Sequence, residues 1–294
     1  MKSFGNSFEE KNYSSKNLEP FFYELEFSNS KEKAIQEIAK RLPFHISLLP
    51  IIDDLKDSSL RLTVRNYFRD IQLAMIEENL ILLAKSPKST NYLELEKYVF
   101  LLSLVGDEFA VYKSFVSELD RISIRLGELL ELNRPILTDE MKVHLLSRVI
   151  YEEEGFNGNQ YFYHNPENSY LTKVLATKSG IPISLSVLYI LIARRQNLPV
   201  YGVNFPLHFM ISYESNDYFT FMDPFNAGVL VDKETCQKFL HANGYPESSE
   251  YFYRTSTLSI LKRMYNNLLS LYKKNGEKEM ELLLQKHLGL LEGK

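Results

Sequence analysis

Residues 180–228 read GIPISLSVLYILIARRQNLPVYGVNFPLHFMISYESNDYFTFMDPFNAG, and the fold turns on how this stretch is parsed. Pro182 suits a first helical position, where its missing N–H costs nothing. From Ile183 to about Gln196 the segment is apolar on every side for its first ten residues, which predicts a buried central helix. Leu198-Pro199 ends it, and VYGVNF is β-branched and aromatic enough for a strand. HFMISY and YFTFMD flank the polar ESND, a hairpin signal; Asn226-Ala227-Gly228 then turns into a short strand, Val229-Leu230-Val231.

Working outward, helical periodicity dominates. Residues 1–16 lack it and are expected to form a disordered tail. Ala34, Ile35, Ile38 and Ala39 share one helical face before Pro43, and Leu60, Leu62, Val64 and Phe68 continue the pattern after a polar turn. SPKSTN at 86–91 reads as a linker, followed by an amphipathic helix from Leu93 to Val105 and one or two more between Phe109 and Leu132. Thr138 is placed to cap a helix running to about Glu152. Residues 153–169, EEGFNGNQYFYHNPENS, have no sustained period but hold four aromatics, so they read as a pinned functional loop. Asn168 or Ser169 would cap the next helix. Past the sheet, Leu261, Met264, Leu268, Leu271 and Tyr272, then Met280, Leu283, Leu284, Leu288 and Leu291, predict an αα-hairpin broken at Asn275-Gly276. The expected organisation is a tail (1–16), an N-terminal helical region (17–88), a core with its helical lead-in (89–248) and a C-terminal hairpin (249–294). The class is α+β and mostly helical.

Composition narrows the function. A net charge of −4 and a pI near 6.0 argue against a general nucleic-acid binder. The longest apolar run, Val187 to Ala193, is too short to span a bilayer, which takes about 20 residues. No apolar leader stands at the N-terminus, and a single cysteine, Cys236, suits a reducing compartment, so a cytoplasmic location is expected.

The chemistry concentrates on His208 and Asp223. A hairpin turn at Ser215-Asn216 sets them directly opposite one another. A turn at Asn216-Asp217 keeps them on one face, whereas a one-residue slip separates them. The carboxylate would then fix the imidazole, leaving its second nitrogen for a group at the N-terminal turn of the buried helix, where Ser184 and Ser186 stand.

The ordered motifs NSYL, GIPISLS, GVNFPLHF and DPFNAG, with EEGFNGN before and ILKRMYNNLLSLY after, resemble the bacterial SirB1 family over roughly residues 90–290. That resemblance implies a transglutaminase-like, papain-like core: a central helix on a small antiparallel sheet, wrapped in helices. It also implies that His208 and Asp223 match two members of a Cys-His-Asp site whose cysteine, due near Pro182 to Ser184, is absent here.

The leading expectation is a protein that binds a peptide or protein partner in the degenerate cleft without catalysis. Cleft candidates are Asn168, Pro182, Asn204 and His164. One alternative is a hydrolase or acyl transferase with Ser184 as nucleophile, His208 as base and Asp223 as orienter. A second is a structural adaptor acting through the helical regions. Each residue also has a plainer role: Ser184 satisfying first-turn backbone groups, Ser186 packing as a small residue, His208 with Asp223 as a self-satisfied polar pair. Asn168, Asn204 and His164 would then serve turns. Cys236 reads as a small buried hydrophobe. His164, His208, Asp223 and Glu152–Glu154 show no metal-ligand spacing, and no cofactor, nucleic-acid or membrane partner is expected.

Overall fold

The computed structural model describes residues 15–86, 89–203 and 205–294; of the expected tail, only its last two residues fall within them, in a 3-10 turn at Ser15–Asn17. The first helices are α1 (Glu19–Phe27), α2 (Lys31–Arg41), α3 (Leu48–Asp53), α4 (Ser58–Asn66) and α5 (Phe68–Lys85). The first of these lies before the helical face of Ala34, Ile35, Ile38 and Ala39 and is not legible in the sequence as a separate element. Asp57 starts α4 by accepting from the N–H groups of Ser59 (2.9 Å) and Leu60 (3.3 Å). Then come α6 (Leu95–Gly106) and α7 (Tyr112–Leu132), the latter one unbroken helix. Next is α8 (Asp139–Ser147), capped by Thr138 Oγ1 on Met141 N–H at 3.2 Å. A π-helical turn, Arg148–Glu153, continues α8; such turns break helical phase and recur at functional sites.

The expected long loop holds a two-residue strand β1 (Asn157–Gly158), paired in parallel with β2 (Ser179–Gly180) on the far side of α9 (Leu171–Thr177). The cap of α9 is corrected: Tyr170 holds that position without a side-chain bond, and Asn168 and Ser169 belong to a 3-10 turn, Pro166–Ser169. The central helix α10 (Pro182–Arg195) is buried from Pro182 through Ala193, as its all-round apolar sequence requires. Behind it runs the antiparallel sheet β3 (Val200–Val203), β4 (Met210–Glu214), β5 (Phe219–Asp223) and β6 (Val229–Val231), in that spatial order. Then α11 (Lys233–Ala242) precedes the hairpin of α12 (Thr257–Asn275) and α13 (Lys278–Leu291), turned at Gly276 with φ +76°.

Strand alternation divides the interior in two. Ile211, Tyr213 and Met222 join the main core around α10, which runs continuously from Leu18 to Leu291. Met210 and Phe221 point the other way into a smaller core with Val203, Phe205, Cys236 and Leu240, roofed by α11. The outer edge of β3 is closed by Tyr92, whose hydroxyl accepts from Gly202 N–H (2.9 Å) and donates to Thr255 O (2.8 Å).

Asp139 ties α8 to the β4–β5 hairpin. Its carboxylate accepts from Lys142 Nζ (2.7 Å), Ser215 Oγ (2.5 Å) and Tyr213 OH (2.8 Å). Led by the Lys142 and Ser215 bonds, these partners hold its pKa down at about 2 against the opposing effect of burial. A depressed carboxyl stabilises the fold above its unfolded pKa of about 3.9 and loses that contribution as pH falls toward the folded value. Asp139→Asn is therefore expected to lower stability by about 1 to 2 kcal/mol at neutral pH. The gap from wild type should close between about pH 4 and pH 2, as read by denaturant midpoints across that range.

Candidate functional site

The site is assembled by three short segments: the bend before β4, the end of β5, and the loop from the π-helical turn to α9. The hairpin turn falls on Asn216-Asp217, with Ser215 N–H donating to Tyr218 O at 3.0 Å and Ile211 opposite Met222. This is the second of the two registers that keep His208 and Asp223 on one side. The strand expected from His208 begins only at Met210, so His208 stands in the preceding bend and reaches diagonally to Asp223, the last residue of β5.

His208 Nε2 lies 2.8 Å from Asp223 Oδ1. A carboxylate only accepts, so Nε2 carries the proton in this pair, and Nδ1 has no hydrogen-bond partner among the described residues. The same carboxylate accepts from Phe225 N–H (3.0 Å) through Oδ1 and from Asn226 Nδ2 (2.7 Å) through Oδ2, which makes it the cap of the 3-10 turn Pro224–Asn226. Burial pushes the Asp223 pKa up, but the His208 bond and charge, Asn226 and Phe225 N–H outweigh it and hold the carboxyl below its usual range. The imidazole side chain keeps 24% of its surface exposed, so the pair is screened but open on one side.

Aromatic edges continue outward from this pair. Phe225 meets His208 edge-to-face at 6.4 Å and Tyr163 at 5.8 Å, and Tyr163 meets His164 at 5.5 Å. Phe225 is set closely over β1: a Cβ on Gly158 would lie 2.4 Å from Phe225 O, so only glycine admits this approach. Tyr151, on the π-helical turn, donates its hydroxyl to Pro224 O from behind the same loop. Phe225, Tyr163 and Tyr151 are site residues that the sequence reading did not single out. DPFNAG was recognised as a motif, but only the fold shows that its phenylalanine packs on the imidazole.

Ser184 goes elsewhere. Its side chain is fully buried, and its hydroxyl accepts from Ile181 N–H (3.0 Å) and donates to Asn168 O (2.6 Å), with Ile181 O at 3.1 Å. No hydrogen bond joins it to His208 among the described residues. The helix start is thus built as a cap, the plainer role weighed for this serine. Asn168, also buried, accepts from Asn159 Nδ2 (3.0 Å) and donates to Phe162 O (2.7 Å), so it holds the aromatic loop in shape. Pro182 and Ser186 are buried within α10, and Ser186 Oγ has no hydrogen-bond partner among the described residues. His164 is exposed and forms no hydrogen bond with His208 or Asp223, while Asn204 lies outside the described residues. Cys236 is 3% exposed, and burial, then Asp232 and Asp223, push its thiol up to about 11, which leaves no thiolate at neutral pH. Among the described residues no group of three or more His, Cys, Asp or Glu side chains could hold a metal ion, and no helix is long and apolar enough to cross a membrane.

Comparison with known proteins falls on this part of the chain. A family model described as "Transglutaminase-like superfamily" matches residues 113–266, from the start of α7 through the first half of α12. A UPF0162 protein of Xylella fastidiosa (strain 9a5c) is 35% identical over 138 residues, 45% of this chain and 49% of that protein. F-box only protein 21 of Homo sapiens is 32% identical over 154 residues, 49% of this chain and 24% of that protein. A UPF0162 protein of Pasteurella multocida is 35% identical over 113 residues, 36% of this chain and 43% of that protein. The similarity thus spans less than half the length of each of these relatives. No solved structure matches.

Proposed function

Because the chain belongs to the transglutaminase-like superfamily, we propose that it is a SirB1-type member that binds a peptide or protein segment at His208 and Asp223 without covalent chemistry. The observation that carries this reading is the consumption of the Ser184 hydroxyl by Asn168 O and Ile181, at the helix start where a nucleophile would stand. A hydroxyl that is fully buried and already donating cannot attack a carbonyl without dismantling the helix cap. What remains is a recognition surface. In its neutral form an imidazole fixed by a carboxylate offers one unprotonated nitrogen as an acceptor, suited to an amide N–H or a hydroxyl. Phe225 and the partly exposed Tyr163 supply apolar area beside it.

The likeness to a protein named F-box only protein 21 supports a role among protein partners, and the absence of a long apolar helix among the described residues fits a partner met outside the membrane core. Selection of a random linear-peptide display library on the wild-type protein, with counter-selection on His208→Ala, tests the proposal. Wild-type-specific peptides that titrate to a single site, and lose at least about tenfold in affinity (1.4 kcal/mol) on His208→Ala, are the expected result. A selected set that binds both proteins equally removes the cleft from the function.

A further inference from the structure

Among the described residues, five non-glycine residues adopt positive φ: Tyr92 (+54°), Lys178 (+56°), Asn197 (+56°), Leu207 (+65°) and Ala227 (+56°). Four of them have a local reason. Lys178 and Ala227 are the C-caps of α9 and of the 3-10 turn after β5, and Asn197 follows the end of α10 and is a residue type that tolerates this region. Tyr92 is buried and its hydroxyl closes the edge of β3. Leu207 has no such reason. It caps no helix, its side chain is 60% exposed, and a branched residue is poorly suited to this backbone region.

Its backbone is held there from both sides. His208 N–H donates to Pro206 O at 2.8 Å, and an i to i+2 bond around a positive central φ is the rare, strained form of the γ-turn. On one side, Phe205 is buried in the small core against Phe239 and Phe252, and its carbonyl accepts from Arg263 Nη1 at 2.8 Å. On the other, Phe209 is buried in the main core, with the Arg263 guanidinium 5.3 Å above its ring. Three residues, Pro206, Leu207 and His208, must therefore carry the chain from one core to the other. Strain that persists because its surroundings fix it marks a place where geometry is being held for a purpose.

We infer that Leu207 is the positioning residue of the His208 site: its strained turn, clamped between Phe205 and Phe209, confines the imidazole to the orientation that bonds Asp223 and leaves Nδ1 open. This rests on the reading of that pair as the recognition site. An L-residue has only a narrow left-handed well, whereas glycine spreads over a broad one. The residue type at 207 therefore decides how tightly the following imidazole is aimed, even though Leu207 itself touches neither Asp223 nor Phe225 by any hydrogen bond.

The test is the ring-nitrogen spectrum of His208 in full-length protein with ¹⁵N-labelled histidine, assigned by its loss in His208→Ala. Recorded at a pH high enough that the ring is neutral, wild type should show two widely separated nitrogen shifts, the signature of one tautomer with the proton on Nε2. In Leu207→Gly the two shifts should move toward each other as the ring samples both tautomers. Leu207→Ala and Leu207→Asn, which keep a Cβ on the turn, should retain the wild-type separation. Wild-type shifts in Leu207→Gly overturn the inference, and so does a collapse in Leu207→Ala, which would assign the effect to the leucine side chain rather than the turn. The readout needs no ligand. A failed peptide selection with the expected spectra would therefore reject the binding proposal alone, and unchanged spectra with successful selection would reject only the positioning role.

Discussion

Asp223→Ala is expected to lower stability by about 3 kcal/mol and to abolish selective peptide binding. One carboxylate accepts from His208 Nε2, Phe225 N–H and Asn226 Nδ2, at 2.8, 3.0 and 2.7 Å, and charge-assisted bonds to a largely buried group are worth about 1.5 to 3 kcal/mol where neutral ones give about 1. Alanine removes all three hydrogen bonds at once and leaves the 3-10 turn after β5 without its cap. Asp223→Asn keeps the shape and one acceptor oxygen, so it should fall roughly midway in stability, yet it removes the charge that fixes the imidazole tautomer. The sign of the pH effect follows from the depressed pKa of Asp223. Its contribution is complete above the ordinary aspartate pKa of about 3.9 and is lost as pH drops below it, so wild type and Asp223→Ala should converge in acid. Urea unfolding at neutral and acidic pH, with peptide titration alongside, checks both halves. A loss under about 1 kcal/mol with intact binding would remove the pair from the centre of the site.

Ser184→Ala is the second large effect, and it separates a structural serine from a catalytic one. Removing a fully buried hydroxyl orphans Ile181 N–H and Asn168 O, both in the interior, at a cost of about 2 kcal/mol. Removing a nucleophile, by contrast, commonly leaves stability unchanged or improved, because active-site groups are held against local preference. Peptide affinity should stay within about twofold, since the hydroxyl is not presented to the cleft. An activated fluorophosphonate probe should leave no adduct on wild type. A Ser184-dependent adduct, or an alanine variant as stable as wild type, would revive the serine-enzyme reading.

The larger elements were legible because they obey single local rules. The buried α10 follows from an apolar sequence bounded by Pro182 and Pro199, and the αα-hairpin from leucine spacing interrupted at Asn275-Gly276. The site was legible only in part. Hairpin logic narrowed His208 and Asp223 to two registers on one side, but the choice between them depended on the turn, and the start of β4 at Met210 was not encoded in the HFMISY pattern. Ser184 shows the limit most clearly. Cap and nucleophile call for the same residue at the same helical position, and the difference lies in Asn168 O, sixteen residues upstream. Asn168 itself suggested a helix cap and instead braces a loop, because polar side chains satisfy whichever backbone group the tertiary fold brings near. Phe225 and Tyr151 were hidden for a similar reason: an aromatic residue in a turn has no period to betray its partner.

The Tyr92 hydroxyl has a bearing on where this fold can be cut. It stands upstream of the matched segment 113–266, yet it bolts together two strands of chain inside that segment, at Gly202 and Thr255. Excised at its similarity boundaries, the segment would expose an amide and a carbonyl that nothing within it serves. The part of this chain that satisfies its own backbone groups is therefore longer than the matched segment and reaches back at least to Tyr92.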